Sequence, residues 1–215
     1  MLQGLIDVIP YLLQGTSVTL SVTLVALSLG FTGGMFLAVM RVYGPPIIRR
    51  LAAGYSLVMR AVPVLLVILI MSFVISAIIN LPPFWAGSLS LALASSAYQS
   101  EIFRGAIIAI PKGQMVAARA LGMGQPKAIL NVIMPQAIRN AIAPWSNEAA
   151  IILKDSSLVY VLGVPEILRR AQYYSARSYE PFLAFGAAAL VYFTLTFLTN
   201  RGLDALENRI RIPYS

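Results

Sequence analysis

The sequence predicts an all-α membrane protein with five transmembrane helices. Of its 215 residues, 59% are hydrophobic and only 11% are charged, whereas soluble domains average about 25% charged residues. Four uncharged runs are also long enough to cross the hydrocarbon core, which takes about 20 apolar residues. These runs are Thr16–Met40 with 25 residues, and Ala61–Asn80, Leu81–Ser100 and Pro181–Asn200 with 20 each. A soluble set of core helices would need far more polar surface than this chain supplies.

A fifth span is predicted over residues 137–162, although Glu148, Lys154 and Asp155 interrupt it. Charged groups inside a membrane are costly and persist where they face protein or a water-filled path. We therefore expect a span whose polar face lines such a path; the alternative is a re-entrant or interfacial helix. The complete prediction is one membrane domain over 1–215, with spans at about 16–40, 51–79, 84–110, 137–162 and 181–203. An interfacial helix over 1–15 and an amphipathic helix over 166–177 complete it.

The basic residues indicate the topology, because an excess of Lys and Arg marks the cytoplasmic side of a membrane. One side has Arg41, Arg49, Arg50, Lys112, Arg119, Lys127, Arg139, Arg201, Arg209 and Arg211. The other side has Arg169, Arg170 and Arg177, interspersed with Glu166 and Glu180. We expect the amino terminus outside and the carboxyl terminus in the cytoplasm of a prokaryotic cell. The net charge of +8 then reflects topology and predicts no nucleic-acid partner.

The composition excludes several kinds of chemistry. The chain has no cysteine and no histidine, so thiol catalysis, Cys/His zinc sites and Ser–His triads are ruled out. It also has no GxxxxGK[ST] phosphate loop, and we predict no catalytic residue, metal site or cofactor within this chain. Two other classes stay open at this point. An ion-coupled secondary carrier often shows internal symmetry, which is not evident here, and an intramembrane enzyme could use Lys154 and Ser157, spaced i,i+3.

The first ten residues contain only Asp7 and no basic region of the kind that begins a signal peptide. The first span is therefore expected to act as its own insertion signal.

Residues 113–135 form a polar, glycine-punctuated segment between apolar runs. Residues 114–121 are strong helix formers, and Gly122 and Gly124 are suited to ending a helix. A second helix is expected to begin at Gln125-Pro126, since proline suits a first turn.

This second helix is expected to run to about Met134, before Pro135. The result is a helix, a kink and a helix along the membrane surface. Its low-profile face for another protein would consist of Ala117, Ala118 and Ala120. The alternative is an ordinary amphipathic linker, although loops longer than about 12–15 residues are usually functional.

The segment resembles the cytoplasmic EAA loop of ABC-type importer permeases, in which Glu-Ala-Ala is followed by three residues, Gly, and a spacer ending near Leu-Pro. This chain has Val116-Ala117-Ala118, then Arg119-Ala120-Leu121-Gly122, and later Ile133-Met134-Pro135. Val116 stands where the family has the acidic residue. The resemblance implies a coupling helix seated in a groove of the ATPase. The implied docking residues are Val116, Ala117, Ala118, Arg119, Leu121, Gly122, Met123 and Gly124.

Three more stretches resemble motifs of the polar amino-acid importer permeases. They are Arg60-Ala61-Val62-Pro63, Ala97-Tyr98-Gln99-Ser100-Glu101-Ile102-Phe103-Arg104-Gly105, and Asn147-Glu148 followed by Leu153-Lys154-Asp155-Ser156-Ser157-Leu158. The apolar run after Pro63 and the missing acidic residue are similar to glutamate/aspartate-type members.

This resemblance implies the type I ABC importer (MetI-like) permease fold in the inner membrane, surrounded by lipid. The implied partners are ATPase subunits that bind ATP and Mg, an identical or paralogous permease, and an external substrate-binding protein.

An amino acid crossing a bilayer needs partners for its carboxylate and its ammonium group. The predicted substrate pathway comprises Arg60, Tyr98, Gln99, Glu148, Asp155, Ser156 and Ser157. Glu148 and Asp155 are seven residues apart, which places them on one helical face about 10 Å apart. We expect Glu148 to contact the substrate ammonium or a cationic side chain; the alternative is a structural role.

Two further contacts are expected from spacing. Glu101 and Arg104, at i,i+3, are expected to pair with each other. Lys154 and Asp155 are adjacent and point in different directions, so they are expected to bridge to other helices or to the cytoplasmic loop. Arg60 has a structural alternative as well, which is to hold spans together.

Overall fold

The computed structural model describes residues 2–210, which form helices joined by short turns. In chain order the helices are α1 (Leu2–Leu13), α2 (Thr16–Tyr43), α3 (Pro46–Ala61), α4 (Val64–Ile70), α5 (Ser76–Ile79), α6 (Pro83–Ile108), α7 (Lys112–Ala120), α8 (Gln125–Ala128), α9 (Met134–Asp155), α10 (Ile167–Ser178) and α11 (Pro181–Ile210). Two π-helical turns, Met71–Ile75 and Ile129–Ile133, join α4 to α5 and α8 to α9, and the 3-10 helix Ser156–Leu162 extends α9. Arg211, predicted on the basic side, lies outside the described residues.

Helix α6 is the central element of the bundle. It contacts α2 along its length and also contacts α3, α4 and α9. Its buried residues are mostly Ala and Ser, which allow neighbouring helix backbones to approach closely. The other helices are arranged around it, and α1, α10 and α11 pack against one another around Val8, Leu12 and Ile167.

Within residues 2–210, two helical segments are long and apolar enough to cross a membrane: Ile6–Tyr43 and Pro181–Arg209. A third would come from α3 together with the segment Val64–Ile79, if this bent pair is one span. Helix α6 is not among them, although it has 26 residues. A helix surrounded by protein does not need the hydropathy of one that faces lipid. The number of five spans stays a prediction.

The segment predicted as span two, residues 51–79, is divided into two helices. Between α3 and Val64–Ile79 the chain bends by 102°. Val62 has extended backbone angles, φ −87° and ψ 133°, because a residue before proline is disfavoured in the helical region. Pro63 also lacks the N–H group that would continue the helix. The break therefore lies within the Arg60-Ala61-Val62-Pro63 motif.

Pro135 does not end a helix as expected. The chain stays helical from Gln125 through Asp155. The turn before Pro135 is a π turn, in which the N–H of Met134 donates to the carbonyl of Ile129. The wider turn places Pro135 in the first turn of α9, where no N–H is required. The second half of the predicted coupling segment is therefore continuous with α9.

Candidate functional site: a polar network inside the bundle

Two glycines of α2 make room for a polar side chain of α6. A Cβ atom on Gly30 would lie 2.6 Å from Nε2 of Gln99, and one on Gly34 would lie 2.7 Å from its Cβ. Gln99 and Ser95 are four residues apart and share one face of α6, and both are fully buried. The two helices can therefore pack in direct contact at Gln99. Gly30 and Gly34 have the GxxxG spacing, which places both glycines on the face of α2 that contacts α6.

Hydrogen bonds join Gln99 to helix α9. Trp145 Nε1 donates to Gln99 Oε1 at 2.8 Å, Gln99 Nε2 donates to Ser95 Oγ at 2.9 Å, and Ser95 Oγ donates to Glu148 Oε1 at 2.8 Å. The direction of donation is set at the Trp145 end, because an indole N–H only donates; Gln99 therefore accepts with Oε1 and donates with Nε2, and the Ser95 hydroxyl donates its one proton to Glu148. The chain from Trp145 to Glu148 thus orients four side chains, and its bonds strengthen one another.

Glu148 is the terminal acceptor of this network. The residue is 5% exposed, and the one hydrogen bond that its carboxylate receives within the described part of the chain comes from Ser95. Within residues 2–210, no Lys or Arg nitrogen forms an ion pair with it. A carboxylate can accept about four hydrogen bonds, and a buried negative charge without a cation is costly. The site is therefore complementary to a positively charged group.

A second polar cluster lies further along α6, around Glu101. Arg41 Nη1 and Arg104 Nη2 are each 2.7 Å from a Glu101 oxygen, and Arg60 Nη2 is 3.1 Å away. The expected pair of Glu101 and Arg104 is confirmed. The cluster holds α2, α3 and α6 together and carries two more positive charges than negative ones.

The structure therefore places the predicted pathway residues at separate locations. Gln99 and Glu148 are brought together through Ser95. Arg60 lies with Glu101, six residues and about 9 Å along α6 from Ser95. Tyr98 is 41% exposed and is not part of the network.

The remaining predicted pathway residues lie at the end of α9 and in the 3-10 helix that follows it. The hydroxyl of Ser156 donates to Leu153 O at 2.7 Å, and Ser157 and Asp155 are partly exposed. The expectation that Lys154 and Asp155 bridge to other helices or to the loop is wrong for the described part of the chain, where every ion pair involves Glu101. Lys154 is exposed instead, since it occupies the outer side of α9.

Sequence reasoning missed Ser95 and Trp145. The signal for Ser95 was its i,i+4 spacing from Gln99, which places both on one face of a helix. Trp145 precedes Glu148 by three residues and lies on the same face of α9 for the same reason. Its ring packs against Phe31 with centroids 6.1 Å apart, and Phe31 in turn packs against Phe103 at 4.9 Å.

Helix α7 ends as the sequence predicts. Gly122 is in the left-handed region at φ +79°. The N–H of Met123 donates to Ala118 O at 3.1 Å and the N–H of Gly122 donates to Arg119 O at 3.0 Å, which is the Schellman arrangement. The chain is thereby turned sharply before α8.

Six of the eight predicted docking residues are exposed, whereas Met123 is partly buried and Ala118 is buried. Leu121 is 80% exposed and Val116 is 67% exposed. Ala118, expected on the low-profile face, is 3% exposed. This expectation is wrong because α7 is amphipathic and turns Ala118 and the partly buried Met115 toward the protein, against the π turn Ile129–Ile133.

Outside the predicted spans, Glu166 caps α10. It is fully buried and accepts hydrogen bonds from the backbone N–H groups of Leu168 and Arg169 and from the hydroxyl of Tyr192. Burial raises the pKa of the Glu166 carboxyl, and the three hydrogen bonds oppose that rise. Its role is to join α10 to α11.

Comparison with protein families decides what this helical chain is. Residues 30–212 match the family described as the binding-protein-dependent transport system inner membrane component. The chain belongs to this family. It is therefore a membrane permease subunit and not an enzyme, and the resemblance to ABC importer permeases is confirmed.

Named relatives cover almost the whole permease. The putative glutamine transport system permease protein GlnP of Rickettsia typhi is 36% identical over 215 residues, covering 98% of this chain and 99% of the relative. The octopine transport system permease protein OccQ of Rhizobium meliloti is 32% identical over 211 residues, with coverage of 92% and 89%. The glutamine transport system permease protein GlnP of Escherichia coli K12 is 31% identical over 207 residues, with coverage of 95% and 94%.

Solved structures agree with the fold. A chain from the crystal structure of an amino acid ABC transporter with histidines has a TM-score of 0.83 and 35% identity, and the match covers 93% of this permease and 94% of that chain. A chain from the MetNI methionine ABC transporter in an inward-facing conformation has a TM-score of 0.80 at 18% identity, with coverage of 94% and 96%. The second likeness shows the fold alone, and the MetI-like permease fold is thus established.

Proposed function

We propose that this permease forms one half of the membrane pathway of an ATP-driven importer for polar amino acids, and that Glu148 binds the ammonium group or a cationic side chain of the substrate. The named relatives support the substrate class, since they are glutamine and octopine permeases. The glutamate/aspartate subgroup is a narrower hypothesis that rests on the apolar run after Pro63 and on Val116.

The environment of Glu148 carries this proposal. Its carboxylate is buried, receives one hydrogen bond from Ser95, and has no ion-pair partner in the part of the chain that the structure describes. A bound ammonium group would supply the missing positive charge and up to three hydrogen-bond donors. Ser95, Gln99 and Trp145 hold the carboxylate in position, and Asp155, about two turns further along α9, offers a second acidic group.

The connection between the docking segment and the site gives the coupling mechanism. ATPase subunits bind ATP and Mg and contact the coupling segment, where Val116 and Leu121 present exposed apolar side chains. From Gln125 to Asp155 the chain is continuously helical. Helix α7 packs its buried Ala118 and partly buried Met115 against the π turn Ile129–Ile133 of this stretch, so a displacement of the coupling segment moves Glu148 with it. When α9 moves away from α6, the carboxylate becomes accessible to the substrate.

The wider assembly follows from the same proposal. The five spans are α2, the bent pair formed by α3 and the segment through α5, α6, α9 and α11. The amino terminus lies outside and the carboxyl terminus lies in the cytoplasm. Five spans provide too little wall to enclose a polar path. An identical or paralogous permease completes the pathway, and an external binding protein delivers the substrate.

The test uses the complete transporter in proteoliposomes, with uptake of labelled amino acid and ATP hydrolysis measured together. The variant Glu148→Gln keeps the shape of the side chain and removes its charge. Loss of a charge-assisted hydrogen bond costs about 1.5–3 kcal/mol, so we expect uptake to fall by about 10- to 100-fold while ATP hydrolysis stays within a factor of two. Asp204→Asn, an exposed acid in the last turns of α11, is the matched control and should transport normally. Normal uptake by Glu148→Gln would refute the role of this carboxylate.

A second variant tests the coupling segment separately. Leu121→Asp places a charge where an apolar contact with the ATPase is proposed. We expect it to weaken co-purification of the ATPase subunit and to lower uptake and ATP hydrolysis in parallel. Undiminished association and hydrolysis would show that this segment is not the docking surface.

A further inference from the structure

A large apolar groove lies beside the carboxyl-terminal half of α2. Its volume is about 970 Å³, at the upper end of the range of about 300–1,000 Å³ for small-molecule sites. One wall is formed by α2, with Met35, Phe36 and Met40, and the other by the π turn and α9, with Leu130 and Ile138. At one end it is bounded by the turn between α2 and α3.

Large apolar side chains that line this groove are exposed. Phe36 is 64% exposed and Leu130 is 67% exposed. Continuous apolar surface of this kind marks a site for a partner or a membrane component. In a membrane protein, its occupant is either a lipid chain or another helix.

Charge distinguishes these two occupants. Arg49 Nη2 donates to the carbonyl oxygen of Gly44 at 3.3 Å, and Gly44 lines the end of the groove. Lys127 follows the lining residue Pro126 and is exposed. Between Asp7 and Glu148 the sequence has a single acidic residue, and that residue, Glu101, is already bound by three arginines. Among residues 2–210, neither Arg49 nor Lys127 forms an ion pair, so both positive charges at this end of the groove are available to an anionic group.

We infer that this groove binds an anionic phospholipid, with an acyl chain against α2 and α9 and its phosphate near Arg49 and Lys127. A lipid of this class supplies both properties that the site requires, an apolar chain and a negative headgroup. A second copy of this chain would instead bring its own Arg49 and Lys127 to the same membrane face, and like charges oppose such a contact. The inference depends on the proposed function only in placing this end of α2 at the inner leaflet.

The test counts lipids on the purified transporter complex. The complex is reconstituted in nanodiscs with equal amounts of phosphatidylglycerol and phosphatidylcholine of the same acyl chains, released into mild detergent, and analysed by native mass spectrometry. We expect the complex to retain phosphatidylglycerol in preference to phosphatidylcholine. Each basic residue near a membrane surface contributes about fivefold in affinity for anionic lipid. The double variant Arg49→Gln/Lys127→Gln should therefore reduce the preference by about 25-fold.

Two further variants make the result specific to the groove. Arg201→Gln/Arg209→Gln removes the same charge from exposed positions of α11, away from the groove, and should lower the preference much less than the loss of Arg49 and Lys127 does. Ile138→Trp fills the groove and should reduce retention of both lipids. A preference that survives the loss of Arg49 and Lys127, or that falls equally in the α11 variant, would overturn the inference.

The competing occupant is tested with a single cysteine, which is unambiguous because the chain has none. With Phe36→Cys, we expect no oxidative disulfide between two copies in the membrane. An efficient disulfide would assign the groove to a second copy of the chain and overturn the lipid assignment. Lipid binding is measured without transport, so its failure is distinguishable from failure of the proposed function.

Discussion

The close contact of α2 with α6 at Gly34 can be tested by adding a single methyl group. In Gly34→Ala the new Cβ would lie 2.7 Å from Gln99 Cβ and 3.0 Å from the backbone nitrogen of Ser100. Ordinary van der Waals contact begins at about 3.4 Å. Neither obstacle is the end of a flexible side chain, so no rotamer change relieves the overlap. The two helices must therefore separate by about 0.7 Å, which disturbs the packing around Gln99.

The magnitude follows from comparison with a matched glycine. In Gly105→Ala the new Cβ meets nothing within 4 Å. Both variants gain the helix propensity of alanine, about 0.8–1.0 kcal/mol, so this gain cancels in the difference between them. What remains is the overpacking cost at Gly34, about 1–3 kcal/mol. For a chain of this size, each kcal/mol shifts the melting temperature by about 2–4 °C.

The assay is thermal unfolding of the purified variants in one detergent. We expect Gly34→Ala to melt about 2–12 °C below Gly105→Ala. Gly33→Ala should lie between them, since its Cβ would be 3.3 Å from Ser96 Cβ. Equal melting temperatures for all three variants would show that α2 does not pack against α6 as closely as described, and the placement of Gln99 would lose its basis.

Two other predictions concern the acidic residues outside the Gln99 network. Glu101→Gln removes the negative charge that three arginines share. Since the cluster is partly exposed, we expect the free energy of unfolding to fall by about 1–3 kcal/mol. Adding Arg41→Gln should recover part of this loss in a double-mutant cycle, and simple additivity of the two substitutions would argue against the cluster. Burial raises the pKa of Glu166, so the folded state holds this proton more tightly than the unfolded state does. Stability should then fall as pH rises from about 4.3 through the raised pKa. In melting curves between pH 4 and pH 8, Glu166→Gln should remove this component, and parallel profiles for the two proteins would contradict it.

Local features of the sequence proved reliable where a contact lies within one turn of one helix. The pair Glu101 and Arg104 was predicted from i,i+3 spacing and is present. The end of α7 at Gly122 was predicted from the conformational freedom of glycine and is present as a left-handed residue. Ala118 shows the limit of such reasoning, because spacing along α7 did not say which side of the helix the protein would cover.

Helix continuity was less predictable because proline has two possible effects. Pro63 breaks its helix and produces a bend of 102°, whereas Pro135 is absorbed by a π turn. Both follow an apolar residue and precede a helical stretch in the sequence. The difference lies in the packing of the preceding turn, where Ile129 and Ile133 are buried against the core around Phe103.

The sequence by itself determined the class of protein, the family motifs and the local pairs, because these depend on composition and on the spacing of residues within one helix. Only the tertiary structure decided which distant polar groups meet: Arg41 with Glu101, 60 residues apart, and Gln99 with Trp145, 46 residues apart. Such contacts depend on how each helix is rotated and how closely its neighbours approach. At Gln99 that approach is set by Gly30 and Gly34. The sequence shows that these two residues lack a side chain, but it does not show which residue they face across the interface.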